Sequence, residues 1–220
     1  MFNKLVFTSL LLASTLNVQA ANSASFGING TITPVACSLM LTGGVINLGS
    51  LSTTAVKAYP TNGRPAYAIP AMIVPFAVTC PASTNVAISF VDNKQGKIVS
   101  LNDGYDSARY GIVDGTGLNA IGSYQISFSN VMIDGMIASI YSAANNTKTW
   151  MPIGPGGRAN FSAPGYTNGF GSASSSMAPQ SASSISGNLR FEVFLSNSYI
   201  DAAIVNVTPN GSGTLSLVYL

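Results

Sequence analysis

The reactive inventory of the 220-residue chain is short: seven carboxylates, nine lysines and arginines, two cysteines and no histidine. Without an imidazole the usual general base at neutral pH is missing, which excludes Ser-His-Asp and Cys-His nucleophile activation and every histidine metal site. The acids are Asp92, Asp103, Asp106, Asp114, Asp134, Glu192 and Asp201. Asp103 and Asp106, within Asn102-Asp103-Gly104-Tyr105-Asp106, read either as two oxygen ligands for a cation or as a solvated turn, and their spacing is not that of a calcium loop. A carboxylate pair for glycoside hydrolysis is defined by its separation in space, which no motif here specifies. Gly154-Pro155-Gly156-Gly157 lacks the Lys-Ser/Thr and the strand-to-helix setting of a phosphate-binding loop. The inventory therefore asks for no metal and no cofactor, and the expectation is a protein that is not an enzyme.

Cys37 and Cys80 are the remaining reactive pair. A redox or metal role would call for Cys-x-x-Cys spacing, a histidine or an adjacent carboxylate, none of which the sequence has. In an oxidising compartment two cysteines form one bridge. Closing a loop of that length stabilises the fold by about 4 kcal/mol in the chain-entropy picture. Export to such a compartment is written at the N-terminus. Lys4 precedes an apolar run from Leu5 to Leu16, and Val18-Gln19-Ala20 places small residues where a signal peptidase reads them. Residues 1–20 are therefore expected to be a signal peptide, with the mature chain running from 21 to 220 as one domain. The apolar run is about half of the ~20 residues that span a bilayer, so no integral membrane segment is expected. Loss of Lys4 leaves eight basic residues against seven acidic ones, a balance that gives nucleic acid or an anionic membrane no electrostatic purchase.

The elements that must position these groups are strands. Apolar residues recur at period two in Met72, Val74, Phe76, Val78, Cys80; in Val86, Ile88, Phe90; in Tyr124, Ile126, Phe128; in Leu189, Phe191, Val193, Leu195; and in Leu215, Leu217, Tyr219. Phe26, Ile28 and Ile32 follow the same rule. Such runs, separated by Gly, Asn, Pro and Ser, specify half-buried strands of an antiparallel sandwich or barrel. Pro75 lies on the face opposite the apolar set and has no N–H for a ladder, which places it at a strand edge or bulge. The stretch 141–187 departs from the pattern. Rich in Gly and Ser and interrupted by Pro152, Pro155, Pro164 and Pro179, it reads as a long loop or insertion. Its rings, Trp150, Phe161, Tyr166 and Phe170, have two readings: a surface that stacks on a sugar, or anchors that pin the loop to the sandwich.

Several of these segments together resemble the type 1 pilin-like subunits of chaperone–usher fimbriae. Gly30-Thr-Ile-Thr-Pro-Val-Ala-Cys37 is similar to that family's first strand, and Ile46-Asn-Leu-Gly49 to the turn after it. Phe76-Ala-Val-Thr beside Cys80, then Asn85-Val-Ala-Ile-Ser-Phe90, follow in the family's order. The chain closes on Gly213-Thr-Leu-Ser-Leu-Val-Tyr219-Leu220, an alternating strand with a penultimate tyrosine. The resemblance covers about two thirds of the mature chain and spares 141–187.

It implies an incomplete immunoglobulin-like β-sandwich whose last strand comes from outside. A periplasmic pilus chaperone would supply that strand first, and a neighbouring fimbrial subunit would replace it at an outer-membrane usher, both by β-augmentation. Leu215, Leu217 and Tyr219 would line one side of the groove and Phe26, Ile28 and Ile32 the other, on the way to a surface fimbrium that contributes to adhesion. Read without the resemblance, Leu215, Leu217 and Tyr219 are an ordinary buried terminal strand. Two departures stand out. The family's glycine near the C-terminus is replaced by Val207, and cleavage after Ala20 leaves nine residues before Gly30, which suits a subunit that accepts a strand better than it donates one. Two further functions remain open: a minor tip subunit or adhesin that binds a host glycan through the aromatic loop, and a complete secreted β-sandwich binding module.

Overall fold

The computed structural model describes residues 36–43, 48–145, 147, 149–154, 163–172, 178–203 and 206–220, all of them within Pro34–Leu220. The signal-peptide stretch 1–20 and Phe26, Ile28, Ile32 and Phe161 lie outside the described residues.

The fold is an all-β sandwich of two antiparallel layers. In the first, β1 (Ser38–Leu41) pairs with β2 (Ala66–Thr84), β2 with β9 (Ala182–Ser196), β9 with β5 (Ala120–Ile133), and β5 with β4 (Tyr110–Val113). In the second, β10 (Gly213–Tyr219) pairs with β3 (Val86–Asp92), β3 with β8 (Tyr166–Ser172), β8 with β6 (Met136–Ala144), and β6 with β7 (Met151–Gly154). The layers are continuous through one tight hairpin, in which Ile133 pairs with Met136 across Asp134 and Gly135. Both turn residues have positive φ, 46° and 81°, the requirement of a two-residue type I′ turn. Two short helices, α1 (Thr53–Lys57) and α2 (Asn197–Ala202), lie in the connections. Among the described residues no helix is long and apolar enough to cross a membrane.

Alternation explains the core. Val74, Phe76, Val78 and Cys80 of β2, Val86, Ile88 and Phe90 of β3, Tyr124, Ile126 and Phe128 of β5, and Leu189, Val193 and Leu195 of β9 are buried between the layers. Phe76 and Phe128 of the first layer meet Phe170 of the second at ring-centroid distances of 6.2 and 5.3 Å. Such ring contacts contribute about 0.5–1.5 kcal/mol beyond the area they bury. Cys37 and Cys80 are disulfide-bonded, tying the start of β1 to β2. Pro75 sits where its carbonyl accepts from Thr42 N just past the end of β1. In an antiparallel strand a residue's N and O point the same way, so the missing N–H falls at the edge, as its side of the alternation requires.

The stretch 141–187 is corrected by the structure. Its described residues are not a loop set on the sandwich: they include the end of β6, all of β7 and β8, and the start of β9, and β8 sits in the middle of the second layer between β3 and β6. The small residues that suggested a loop serve close packing instead. A Cβ on Gly169 would lie 2.3 Å from Pro179 Cγ, and one on Gly171 would lie 2.9 Å from the Ala178 carbonyl. The chain around 178–180 is thus laid against the outer face of β8, and Gln180 N donates to the Phe170 carbonyl at 2.8 Å.

Candidate functional site

Edge strands are where a sandwich is chemically unfinished, and β1 and β10 are edges: among the described residues β1 has only β2 as a neighbouring strand and β10 only β3. Hydrogen-bond phase fixes which groups face outward. Leu220 N donates to Asn85 O, and Asn93 N to Ser212 O. Even-numbered residues of β10 therefore turn their backbone groups to β3, and Gly213, Leu215, Leu217 and Tyr219 turn theirs to the open side. The Thr42 N to Pro75 O bond sets β1 in the same way, with Cys37, Leu39 and Leu41 outward. The residues with outward backbone are those whose side chains point between the layers. Leu39, Leu41, Leu215 and Leu217 pack against the core yet remain only half-buried.

Among the described residues one bond crosses between these edges. Cys37 N donates to Tyr219 Oη at 2.8 Å, although the Tyr219 residue is 51 % exposed. At the far end, beside Leu41, Gly213 and Leu215, the space widens into a cavity of about 600 Å³. Its floor is aromatic and aliphatic: Tyr110 stacks on Tyr124 at 5.1 Å, and Phe191 tilts against Tyr124 at 6.3 Å. Asp92 at the end of β3 fixes this mouth, accepting from Lys94 N and Gly111 N, each at 2.8 Å, so that the second layer is tied to β4 of the first. Burial, the nearby Asp92 charge and Tyr110 push the Tyr124 hydroxyl well above the ordinary tyrosine range, and it stays a proton donor at any physiological pH.

Of the residues singled out in the sequence, Leu215, Leu217 and Tyr219 come together with β1 around one groove. Of the aromatic set, none of the three described rings is fully exposed. Phe170 is 1 % exposed and part of the core. Trp150 is half-buried, with Cη2 3.4 Å from where a Gly169 Cβ would stand, and Tyr166 is half-buried at the start of β8. Asp103 and Asp106 do face a cation, but it is a side chain: Arg109, itself buried, reaches Asp103 at 2.6 Å and Asp106 at 2.8 Å, and Arg64 reaches Asp103 at 3.0 Å. Both guanidinium groups also lie over Phe194, at 5.8 Å for Arg64 and 5.6 Å for Arg109. Hydrogen bonding from Arg109 holds Asp103 down at about 2. Among the described residues no three histidine, cysteine or acidic side chains cluster as a metal site would require.

Residues that sequence reasoning left out are Leu41 and the loop 208–212, which line the cavity, and Tyr110 in its floor. Tyr124 and Phe191 were legible as inward-facing strand residues, but nothing in the alternation told covered positions from uncovered ones.

Residues 26–131 match a family described as "Protein of unknown function (DUF1120)". That is just under half of the chain, and it spans β1 to β4 and most of β5, hence one lip and much of the floor of the groove but not β10. No curated protein matches the chain.

Proposed function

We propose that the protein is an exported structural subunit of a chaperone–usher fimbria, whose groove between β1 and β10 receives an extended strand from outside. The observation that carries this reading is the pair of open edges with half-buried leucines over a single cavity. An added strand would pair with the outward backbone groups of Gly213, Leu215, Leu217 and Tyr219, at about 0.5–1.5 kcal/mol net per hydrogen bond, and would cover Leu215 and Leu217. Left open, such an edge is a template for aggregation. A strand-donating periplasmic chaperone, then an outer-membrane usher and neighbouring subunits, are the partners such a surface requires. The leader-like N-terminus, the disulfide and the pilin-like segments at both ends of the chain support the same reading and a cell-surface location. The burial of Phe170 and the partial burial of Trp150 and Tyr166 weigh against a glycan site made of those rings.

The test is periplasmic expression with and without a fimbrial chaperone, followed by size-exclusion chromatography. Soluble protein only as a one-to-one complex with the chaperone is the expected result. A well-folded monomer without it would mean that the sandwich is complete by itself, and a secreted binding module would replace the fimbrial subunit.

A further inference from the structure

The two ends of the groove differ. Leu41 and Leu215 line the cavity at the wide end, whereas at the narrow end Cys37 N donates to Tyr219 Oη at 2.8 Å. Passing from Cys37 to Leu41 along β1 therefore runs from Tyr219 back to Leu215 along β10, and the two lips are antiparallel. A strand laid between them must run antiparallel to one lip and parallel to the other. At full stretch a tyrosine side chain and its hydrogen bond span no more than two inter-strand spacings, ~9.5 Å. The Tyr219 ring thus bridges a gap no wider than a single inserted strand would fill. Cys37, like Leu39 and Leu41, turns its backbone groups to the groove, by the ladder phase that the Thr42 N to Pro75 O bond sets. Its N–H is the donor that an inserted strand would use at this level, and the tyrosine hydroxyl already occupies it.

We infer that Tyr219 is a clasp that limits how far a strand is gripped, so that the partner which fits both lips is a short strand ending beside Leu39 and Leu217. The inference rests on the strand-accepting reading and adds the length of strand that the groove selects. Between Gly213 and Leu217 an inserted strand gains hydrogen bonds and displaces none between the lips. Beyond Leu217 pairing along β10 can continue to the Tyr219 backbone, but pairing along β1 meets the clasp. A strand carbonyl that takes the Cys37 N–H releases the tyrosine hydroxyl to water, which reaches it because Tyr219 is half exposed. One hydrogen bond is exchanged for another, and the net gain on the β1 side is near zero. The segment held from both sides is about five residues, the length of an ordinary strand.

The test refolds the chain from Ala21 onward in the presence of peptides of alternating Thr and Val, one of about five residues and one of about nine, each with a lysine tail. Shifts in denaturation midpoint are converted to relative affinity by ligand linkage. Nitrogen-15 labelling of cysteine and leucine reports the amides of Cys37, Leu39 and Leu217, with Cys80 the second of the two cysteine signals. The short peptide should move the Leu39 and Leu217 signals and leave Cys37 in place, while the long peptide should move all three. Tyr219→Phe frees the Cys37 N–H without removing the ring. The long peptide's advantage over the short one should then grow by about two- to tenfold, the worth of one hydrogen bond. An advantage that is the same or smaller in Tyr219→Phe overturns the clasp while leaving strand acceptance in place. So does a short peptide that moves Cys37 as readily as Leu39. If neither peptide moves any signal or the midpoint, strand acceptance and the clasp both fall.

Discussion

The strands β9 and β10 carry nearly the same message in sequence and meet different fates. Leu189, Phe191, Val193 and Leu195 alternate in β9 as Leu215, Leu217 and Tyr219 do in β10. Yet β9 has β2 on one side and β5 on the other, and Leu189 and Leu195 are fully buried, whereas among the described residues β10 has β3 alone and its leucines are half-covered. Alternation assigns a side chain to a face. It does not say whether a neighbour covers that face, and the difference between these two strands is where function can reside.

Four outcomes would break or sharpen this contrast. The largest effect belongs to the other lip, since β1 is four residues long and among the described residues pairs on one side only. Replacing both Cys37 and Cys80 by alanine should cost about 4 kcal/mol in urea unfolding and weaken strand uptake as well. A loss near zero would mean that β1 does not depend on the bridge. Next, Leu195→Ala in β9 should cost about 3 kcal/mol, within the usual range for a buried leucine, while Leu217→Ala in β10 should cost less than about 1 kcal/mol in the isolated subunit because its side chain is only half-buried. Equal losses would show that β10 is as covered as β9.

A third outcome concerns acid. Asp103 titrates at about 2 when folded against 3.8 for an ordinary aspartate. A lowered folded value means that its contribution is fully present above 3.8 and is lost as pH falls toward 2. Thermal midpoints should therefore fall between pH 4 and pH 2, and Asp103→Asn should flatten that limb. An unchanged slope would show that the Arg109 cluster does not govern acid stability. The smallest effect is expected from Tyr219→Phe, which removes the Cys37 N to Tyr219 Oη bond between the two lips. A loss of about 0.5 kcal/mol, at the low end for a hydrogen bond because the residue is exposed, should be measurable by denaturant midpoint. A loss several times larger would mean that the edges are more firmly joined than a single exposed bond allows.

How much of this was legible in the residues depends on the kind of interaction. The faces of β2, β3, β5 and β9 followed from period-two alternation because a strand's geometry is local. The Cys37–Cys80 pairing followed from having two cysteines and no other partner for either. The glycines of β8 were misleading for a physical reason. A glycine that clears a turn and a glycine that admits a neighbouring chain look the same in one dimension, and only the approach of Pro179 to Gly169 tells them apart. Asp103 and Asp106 were legible as a pair that could hold a cation, but Arg109, which they hold, was not, because charge pairing depends on distances set by the whole fold.

By itself, then, the sequence determined an all-β chain, the face on which each strand residue lies and its one covalent link, since those properties arise from neighbours along the chain or from elimination. Tertiary structure alone decided that among the described residues β1 and β10 are edges facing one cavity, that 141–187 supplies a central strand, and that Gly211 and Gly213 pack closely on Tyr124. Those properties depend on which strands end up without a neighbour, and no run of residues contains that information.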